Sequence, residues 1–187
     1  MDAQYLSGQL LIAMPGMADP RFARSVVLIC EHDENGALGF IVNHPAERLA
    51  FSDVLDQMEI ELEEDAPAVM MHVGGPVDRF RGFVLHGPDY GRDEMTVEVS
   101  DAFRMTATRE ILEDIAVGQG PGELLIAIGY AGWGGGQLEA ELQRNDWLTC
   151  PASAEIVFQT PDAEKWEKAV AEIGIDIRLL SSGGGSA

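Results

Sequence analysis

The segment that most constrains this fold is residues 123–130, which contains an uninterrupted apolar run and is followed directly by a glycine-rich stretch that ends at Gly136. A half-buried strand alternates apolar and polar side chains, whereas a strand covered on both faces is apolar throughout. The run therefore predicts a strand buried on both faces. Its five consecutive apolar residues, 124–128, are far fewer than the roughly 20 that a membrane helix needs, so we expect no membrane association.

A hairpin is predicted earlier in the chain. Residues 25–30 are typical of a buried strand, and Asn35 with Gly36 forms a turn sequence that favours positive φ. Residues 37–43 would form the returning strand. Pro45 ends it, because proline has no N–H to donate to a neighbouring strand.

The remaining elements are short and are separated by glycine and proline. Strands are predicted at residues 68–73, 81–86, 95–99, 146–150, 155–159 and 176–180. Helices are predicted at residues 52–58 with Ser52 as cap, 108–117, 137–144, and 161–173 with Thr160 as cap and Gly174 as stop. Early hairpins and later helices predict the α+β class, a mixed sheet flanked by about four short helices. We assign residues 1–180 to this single domain and residues 181–187 to a flexible Gly/Ser tail.

The charge of the chain restricts its partners. The formal net charge is −20, from 32 acids against 12 bases, and Lys165 and Lys168 are the only lysines. Nucleic-acid binding depends largely on basic side chains that neutralise phosphates, so this composition argues against direct nucleic-acid binding. Cys30 and Cys150 do not make a disulfide framework, and no export leader opens the chain. We therefore expect a cytoplasmic protein.

Local catalytic and metal-binding motifs are missing from the sequence. It contains no P-loop and no G-x-G-x-x-G, G-x-S-x-G, H-E-x-x-H or C-x-x-C pattern. Residues 31–36 resemble the start of an EF-hand loop, but Val42 stands where the bidentate carboxylate is needed. We predict no cofactor and no bound metal, and we assign no catalytic residue.

The histidines and cysteines leave a catalytic alternative open. His32, His44, His72 and His86 lie in or at the ends of predicted strands, and no two of them have the i, i+4 spacing of a helical metal site. We expect structural histidines, although they could converge on a metal or, with a carboxylate, on a catalytic site. A nucleophilic Cys30 would need exposure and a lowered pKa, and its apolar neighbours argue against both.

Two glycine-rich turns form the candidate ligand site. A helix begins near Gln137, and the N–H groups at a helix N-terminus favour anions, while the turn at residues 74–76 could supply further backbone donors. If the turns meet, they would line a pocket edged by Asn43, Trp133 and Gln137. The candidate residues are Asn43, Gly74, Gly75, Pro76, Gly129, Trp133, Gln137 and Glu141. Alternatively, the glycines only permit tight turns and close packing, with Trp133 in the core.

Three stretches together resemble the YqgE/AlgH family of bacterial proteins. They are GFIVNHP at residues 39–45, GGPV at 74–77 followed by GFVLH at 82–86, and GYAGWGGGQLEAEL at 129–142 leading to NDW at 145–147. Residues 6–15 and DPRF at 19–22 also fit, and the resemblance extends to about residue 175. It implies a curled, branched β-sheet that makes a pseudo-barrel, with helices packed outside. It implies no activity, cofactor or catalytic residue.

Three functions are left open at this point. The first is a non-catalytic binding or regulatory module, whose partner is a protein or a small anionic ligand. Members of the resembled family often carry the label transcriptional regulator, and such a role could be indirect. The second is an enzyme with a scattered site of histidines and carboxylates. The third is a regulator that binds DNA directly, which the net charge of −20 opposes.

Overall fold

The computed structural model describes residues 5–91, 94–176 and 178–179. Its strands are β1 (Gln9–Ala13), β2 (Val26–Asp33), β3 (Gly36–Ile41), β4 (Met71–Val73), β5 (Val77–His86), β6 (Thr96–Glu98), β7 (Arg104–Thr106), β8 (Leu124–Gly134) and β9 (Trp147–Pro151). Its α-helices are α1 (Phe51–Gln57), α2 (Arg109–Ala116), α3 (Gln137–Gln143) and α4 (Asp162–Glu172). Short 3₁₀ and π turns lie at Pro20–Phe22 and Glu155–Gln159. The α+β prediction is confirmed, and the predicted tail at 181–187 lies outside the described residues.

Strand β8 organises a single nine-stranded sheet. The strand order is β6-β7-β5-β8-β3-β2-β1-β9, and β4 pairs with β8 off this path. The first part of β8 lies between β5, which is antiparallel to it, and β4, which is parallel to it. Its last part pairs with β3, where Ala37 faces Trp133. This one long strand therefore joins two groups of strands, and the resulting sheet curls into a half-barrel.

Both faces of β8 are covered, as its apolar run predicts. Leu125 and Ala127 point into a core that includes Trp166 of α4, whereas Ile126 points into a core formed with α1 and α2. A third core packs α3 against the sheet and includes Trp133. Burial of three consecutive β8 residues explains why this segment is apolar without alternation.

The predicted strand at residues 155–159 is wrong, because these residues form a π-helical turn. Within it, Ile156 and Val157 are buried, and a short buried apolar run cannot be assigned to strand or helix from periodicity alone. The Thr160 hydroxyl donates to the Glu155 carbonyl oxygen at 2.8 Å and closes the turn. Thr160 is therefore not the cap of α4, whose N-cap position is held by Pro161.

Other element boundaries also differ from the predictions. Helix α1 begins at Phe51, before the predicted cap Ser52, and the Asp53 carboxylate accepts the Ala50 N–H at its N-terminus. The predicted strand at 176–180 is corrected, because residues 178–179 are helical. Residues 177 and 180 lie outside the described residues. Strands β1 and β7 were not predicted, although Ser7–Gly8 and Pro15–Gly16 flank β1 with turn signals, and β7 has only three residues.

Candidate functional site

The predicted glycine turn at residues 74–76 packs against β8 around Gly129, as closely packed backbone, whereas Gly135 of the turn that enters α3 packs against Glu34 and Asn35. The Gly74 N–H donates to the Ile128 carbonyl, and the Gly74 carbonyl accepts the Ile41 N–H, both at 2.8 Å. A Cβ on Gly75 would lie 2.1 Å from the Tyr130 carbonyl carbon. A Cβ on Gly129, which has φ +75°, would lie 2.6 Å from the Gly75 carbonyl oxygen. Glycine is required here because the 74–76 turn crosses β8 without room for side chains.

The predicted residues on the α3 side form a second group. The Gln137 side chain accepts the Gly134 N–H at 3.0 Å and fixes the turn that enters α3. Burial raises the pKa of the Glu141 carboxylate, against the opposing effect of the buried Trp133 side chain. Glu141 Oε2 and Trp147 Nε1 are buried without partners among the described residues.

Asn43 lies beside the 74–76 turn, since Ile41 and His44 on either side of it hydrogen-bond to the backbone of Gly74 and Val73, but its own side chain is engaged elsewhere. Its side chain accepts the Val26 N–H and donates to the Arg24 carbonyl, both at 2.9 Å, which fixes the chain as it enters β2. Asn43 lies six residues beyond Ala37, the partner of Trp133, which corresponds to roughly 20 Å along an extended chain. The expectation that Asn43 and Trp133 edge the same pocket is therefore corrected. Pro76 is half-buried and leads into β5, and ligand binding at the glycine turns stays a prediction.

Two histidines are structural, as expected. His32 is buried, and its Nε2 lies 2.7 Å from Glu139 Oε1 while its Nδ1 accepts a backbone N–H. His86 is fully buried, with Nε2 at 2.8 Å from Thr106 Oγ1 and Nδ1 at 2.8 Å from a backbone carbonyl. Burial lowers the pKa of His86, which favours the neutral ring.

His72 differs, because it belongs to a buried polar cluster with Asp162 and Lys165. His72 Nε2 lies 2.9 Å from Asp162 Oδ2, and Lys165 Nζ lies 2.8 Å from Asp162 Oδ1. The three side chains are 7%, 16% and 3% exposed, respectively. Lys165 Nζ also donates to the Val42 carbonyl at 2.7 Å. Since a carboxylate only accepts hydrogen bonds, the neutral His72 ring carries its proton on Nε2 and presents Nδ1 as an acceptor.

The fold explains how this cluster forms. Asp162 and Lys165 are three residues apart on α4 and therefore share one helical face. On β4, Met71 points into the core with α1 and α2, so His72 points to the opposite face, where α4 packs. Burial by itself would raise the pKa of Asp162, but hydrogen bonds from His72 and Lys165 lower it overall. Burial lowers the pKa of Lys165 against the effect of Asp162.

The cluster lies at the wall of a cleft of about 350 Å³, which we call the α4 cleft. Residues 67–70, residues 121–125, the end of the π turn and the first turn of α4 line it. Met70, Leu124 and Phe158 contribute apolar surface. His72 lines the same cleft, and its Nδ1 is buried with no hydrogen-bond partner among the described residues.

We did not predict this cluster, because 90 residues separate His72 from Asp162. One signal was available: Lys165 lies four residues before Ala169 on the buried side of α4, where a lysine needs a carboxylate partner. No group of three or more metal-ligating side chains occurs in the described part of the chain. Among the same residues, no helix is long and apolar enough to cross a membrane.

Comparisons with known proteins agree over nearly the whole chain. A family model described as AlgH-like matches residues 10–178. A UPF0301 protein of Cereibacter sphaeroides is 54% identical over 182 residues, which cover 97% of this chain and 99% of the relative. The solution structure of the AlgH protein from Pseudomonas aeruginosa is similar with a TM-score of 0.77 and 42% identity, covering 100% of this chain and 98% of that one.

A more distant structure shows the same fold. The crystal structure of protein DIP2367 from Corynebacterium diphtheriae is similar with a TM-score of 0.75 and 23% identity, covering 97% of this chain and 94% of that one. At this identity the similarity concerns the fold alone. The family match and the close relatives together show that this chain belongs to the AlgH-like family of UPF0301 proteins.

Proposed function

We propose that this protein is a non-catalytic binding or regulatory module that holds a small molecule in the α4 cleft. The observation that carries the proposal is the unpartnered Nδ1 of His72 at the cleft. A buried polar atom without a partner costs about 1–3 kcal/mol, and a ligand that donates a hydrogen bond to it would recover that cost. The cleft volume of about 350 Å³ lies within the range of small-molecule sites.

The cleft favours an uncharged ligand that carries an N–H or O–H donor and an apolar body. Asp162 already occupies the positive end of α4 and neutralises Lys165, so little positive charge is left for an anion. Glu123 adds a second carboxylate to the lining. The small anionic ligand expected from the sequence therefore fits this cleft less well than a neutral donor.

A regulatory role would be exerted through a partner that recognises the ligand-bound protein. The net charge of −20 opposes direct contact with DNA, so the regulator label of the family would describe an indirect effect. Cys30 and Cys150 are both buried and free, which suits the reducing cytoplasm that we propose as the compartment.

Blocking the cleft tests the proposal. Ala68 is an exposed residue of the lining, so Ala68→Trp should fill the cleft without disturbing the core, and Ala102→Trp places the same side chain on an exposed turn outside the lining. We expect neutral fragments with amide or hydroxyl groups to shift NMR signals of residues around His72 and Phe158. Ala68→Trp should abolish these shifts and Ala102→Trp should keep them. Fragment shifts elsewhere only, or shifts that persist in Ala68→Trp, would reject the site.

One observation favours a second candidate, an enzyme that uses His72 as a general base. Asp162 orients the His72 ring through Nε2, and His72 lines the cleft with its buried Nδ1 unpaired among the described residues, which is the arrangement of a base with its orienting carboxylate. A cysteine nucleophile is disfavoured, because burial raises the pKa of Cys30 and raises that of Cys150 to about 11. His72→Gln separates the candidates: a base would lose turnover of a bound ligand, whereas a binding module shows no turnover in the wild type.

A further inference from the structure

The arginines that the structure describes in this acidic protein fall into two classes. Six of them lie within 4 Å of a carboxylate, as do both lysines; the paired arginines are Arg21, Arg24, Arg104, Arg109, Arg144 and Arg178. Arg48, Arg79 and Arg81 have no carboxylate partner among the described residues. With 32 acidic residues in the chain, unpaired arginines mark a surface where positive charge is left available.

Two of these arginines line one groove of about 510 Å³, which we call the arginine groove. Arg48 follows β3, and Arg79 belongs to β5. The groove floor is apolar and includes Leu49, Val73 and Ile128. Glu47 is the only acidic residue among the lining residues that the structure describes. The groove thus combines apolar surface with a local excess of positive charge.

A projecting segment extends this surface. Strand β5 pairs with β8 at Val77↔Tyr130 and again at Gly82↔Ile128, so residues 78–81 bulge out between the two pairings. Phe80 in the bulge is 103% exposed, which is unusual for a large apolar side chain. Exposed aromatic and arginine side chains are the residue types that most often anchor protein–protein contacts.

We infer that the arginine groove and the Phe80 bulge bind an acidic peptide segment of a partner protein that also carries apolar side chains. The carboxylates of the segment would pair with Arg48 and Arg79, and its apolar side chains would contact the groove floor and Phe80. Charge complementarity identifies this occupant. Duplex DNA is disfavoured, because three arginines on a protein of net charge −20 provide few phosphate contacts. The surface does not involve the His72 cluster.

Peptide selection on the full-length chain tests the inference. A random 12-residue phage library is selected on the wild type and counter-selected on the double variant Arg48→Glu/Arg79→Glu. We expect enriched peptides that combine Asp and Glu with Leu or Phe. Their affinity should fall at least about tenfold in the double variant and about fivefold in Phe80→Ser. Arg109→Glu, which reverses an exposed arginine outside the groove, is the matched control and should bind normally.

The outcomes decide between occupants. The inference is overturned if no peptide is enriched, if the enriched peptides lack acidic residues, or if they bind the double variant as well as the wild type. It is also overturned if a 20-base-pair duplex DNA, rather than peptide, shows binding that depends on Arg48 and Arg79. Self-association of the wild type that the double variant abolishes, measured by analytical ultracentrifugation, would assign the groove to a second copy instead. Ala68→Trp should leave peptide binding unchanged, which separates this test from that of the α4 cleft.

Discussion

The α4 cleft and the arginine groove use charged side chains in opposite ways. In the cleft, Lys165 and Asp162 are buried and neutralise each other, and the atom left without a partner among the described residues is a ring nitrogen of His72. In the groove, Arg48 and Arg79 are exposed and have no carboxylate partner among the described residues. Buried charges must be paired for the protein to fold, whereas exposed unpaired charges add little to folding and are available to a partner.

The two sites are close in sequence because β4 serves both. His72 points toward α4, and the neighbouring Val73 lines the arginine groove on the other face of the strand. Directly after β4, the chain crosses β8 where Gly75 packs against Gly129. This crossing leaves no space for a ligand between the two segments. A comparison of variants in the cleft, at the crossing and in the groove should therefore give three different responses.

The largest effect is expected from Asp162→Ala. Removing this carboxylate leaves Lys165 buried without its counter-ion and removes the partner of His72 Nε2. We expect a loss of about 3 kcal/mol in the free energy of unfolding, the lower end for a buried pair because Asp162 is 16% exposed. Urea denaturation measures it. Glu113→Ala breaks the exposed pair with Arg109 and should cost no more than about 0.5 kcal/mol. Equal losses in the two variants would contradict the difference that we draw between buried and exposed charges.

The next effect is expected from Gly129→Ala. The new methyl group would lie 2.6 Å from the Gly75 carbonyl oxygen, and the residue has φ +75°. We expect a loss of about 2 kcal/mol, from overpacking and from the positive φ. Gly118→Ala is the matched control, since Gly118 also has φ +75° but no atom within 4 Å of a Cβ. The free energy of unfolding of this control should fall by only about 1 kcal/mol. Equal losses in the two variants would mean that the crossing is not tightly packed.

A smaller effect is expected from pH, and its main origin is His44, which lines neither site. Burial lowers the pKa of His44 from its ordinary value of 6.5, while the nearby Asp162 and a backbone carbonyl act in the opposite direction. The unfolded chain therefore binds a proton at higher pH than the folded chain does. Stability from this group is complete above pH 6.5 and declines as the pH falls below it. His86 contributes with the same sign.

The pH effect can be assigned by substitution. The free energy of unfolding should decrease from pH 7.5 to pH 5.5 in the wild type, and the decrease should be smaller in His44→Gln. Asp162 does not interfere, because its lowered pKa places its loss of stability below pH 3.8. Binding of acidic peptides at the arginine groove should change little over the same range, since guanidinium groups do not titrate there. A wild type that becomes more stable toward pH 5.5 would reverse the assigned sign.

The smallest effect is expected from Arg79→Ala. The side chain is exposed and has no ion-pair partner in the described part of the chain, so the free energy of unfolding should change by less than about 0.5 kcal/mol. Thermal and urea unfolding of the variant should therefore overlay those of the wild type. A loss comparable to that of Asp162→Ala would mean that Arg79 has a structural role instead.

Local signals in the sequence predicted the fold class and many of its elements. The apolar run of β8, the hairpin of β2 and β3, and helix α4 with Gly174 as its stop were all visible as patterns of a few residues. The π turn at Glu155–Gln159 was predicted as a strand, because a short apolar run has no diagnostic period. The sequence left open whether the glycine turns meet, and the contact of His72 with α4 depends on packing between distant segments and left no local pattern.

The most direct test of the central claim is an NMR measurement of the His72 ring nitrogens with and without ligand. Nitrogen-15 imidazole spectra at neutral pH distinguish a protonated nitrogen from an unprotonated acceptor. The structure predicts that Nε2 carries the proton, that Nδ1 is the acceptor, and that a neutral amide or hydroxyl fragment shifts the Nδ1 signal in the wild type but not in Ala68→Trp. A protonated Nδ1, or an Nδ1 signal that no fragment shifts, would contradict a ligand site in the α4 cleft.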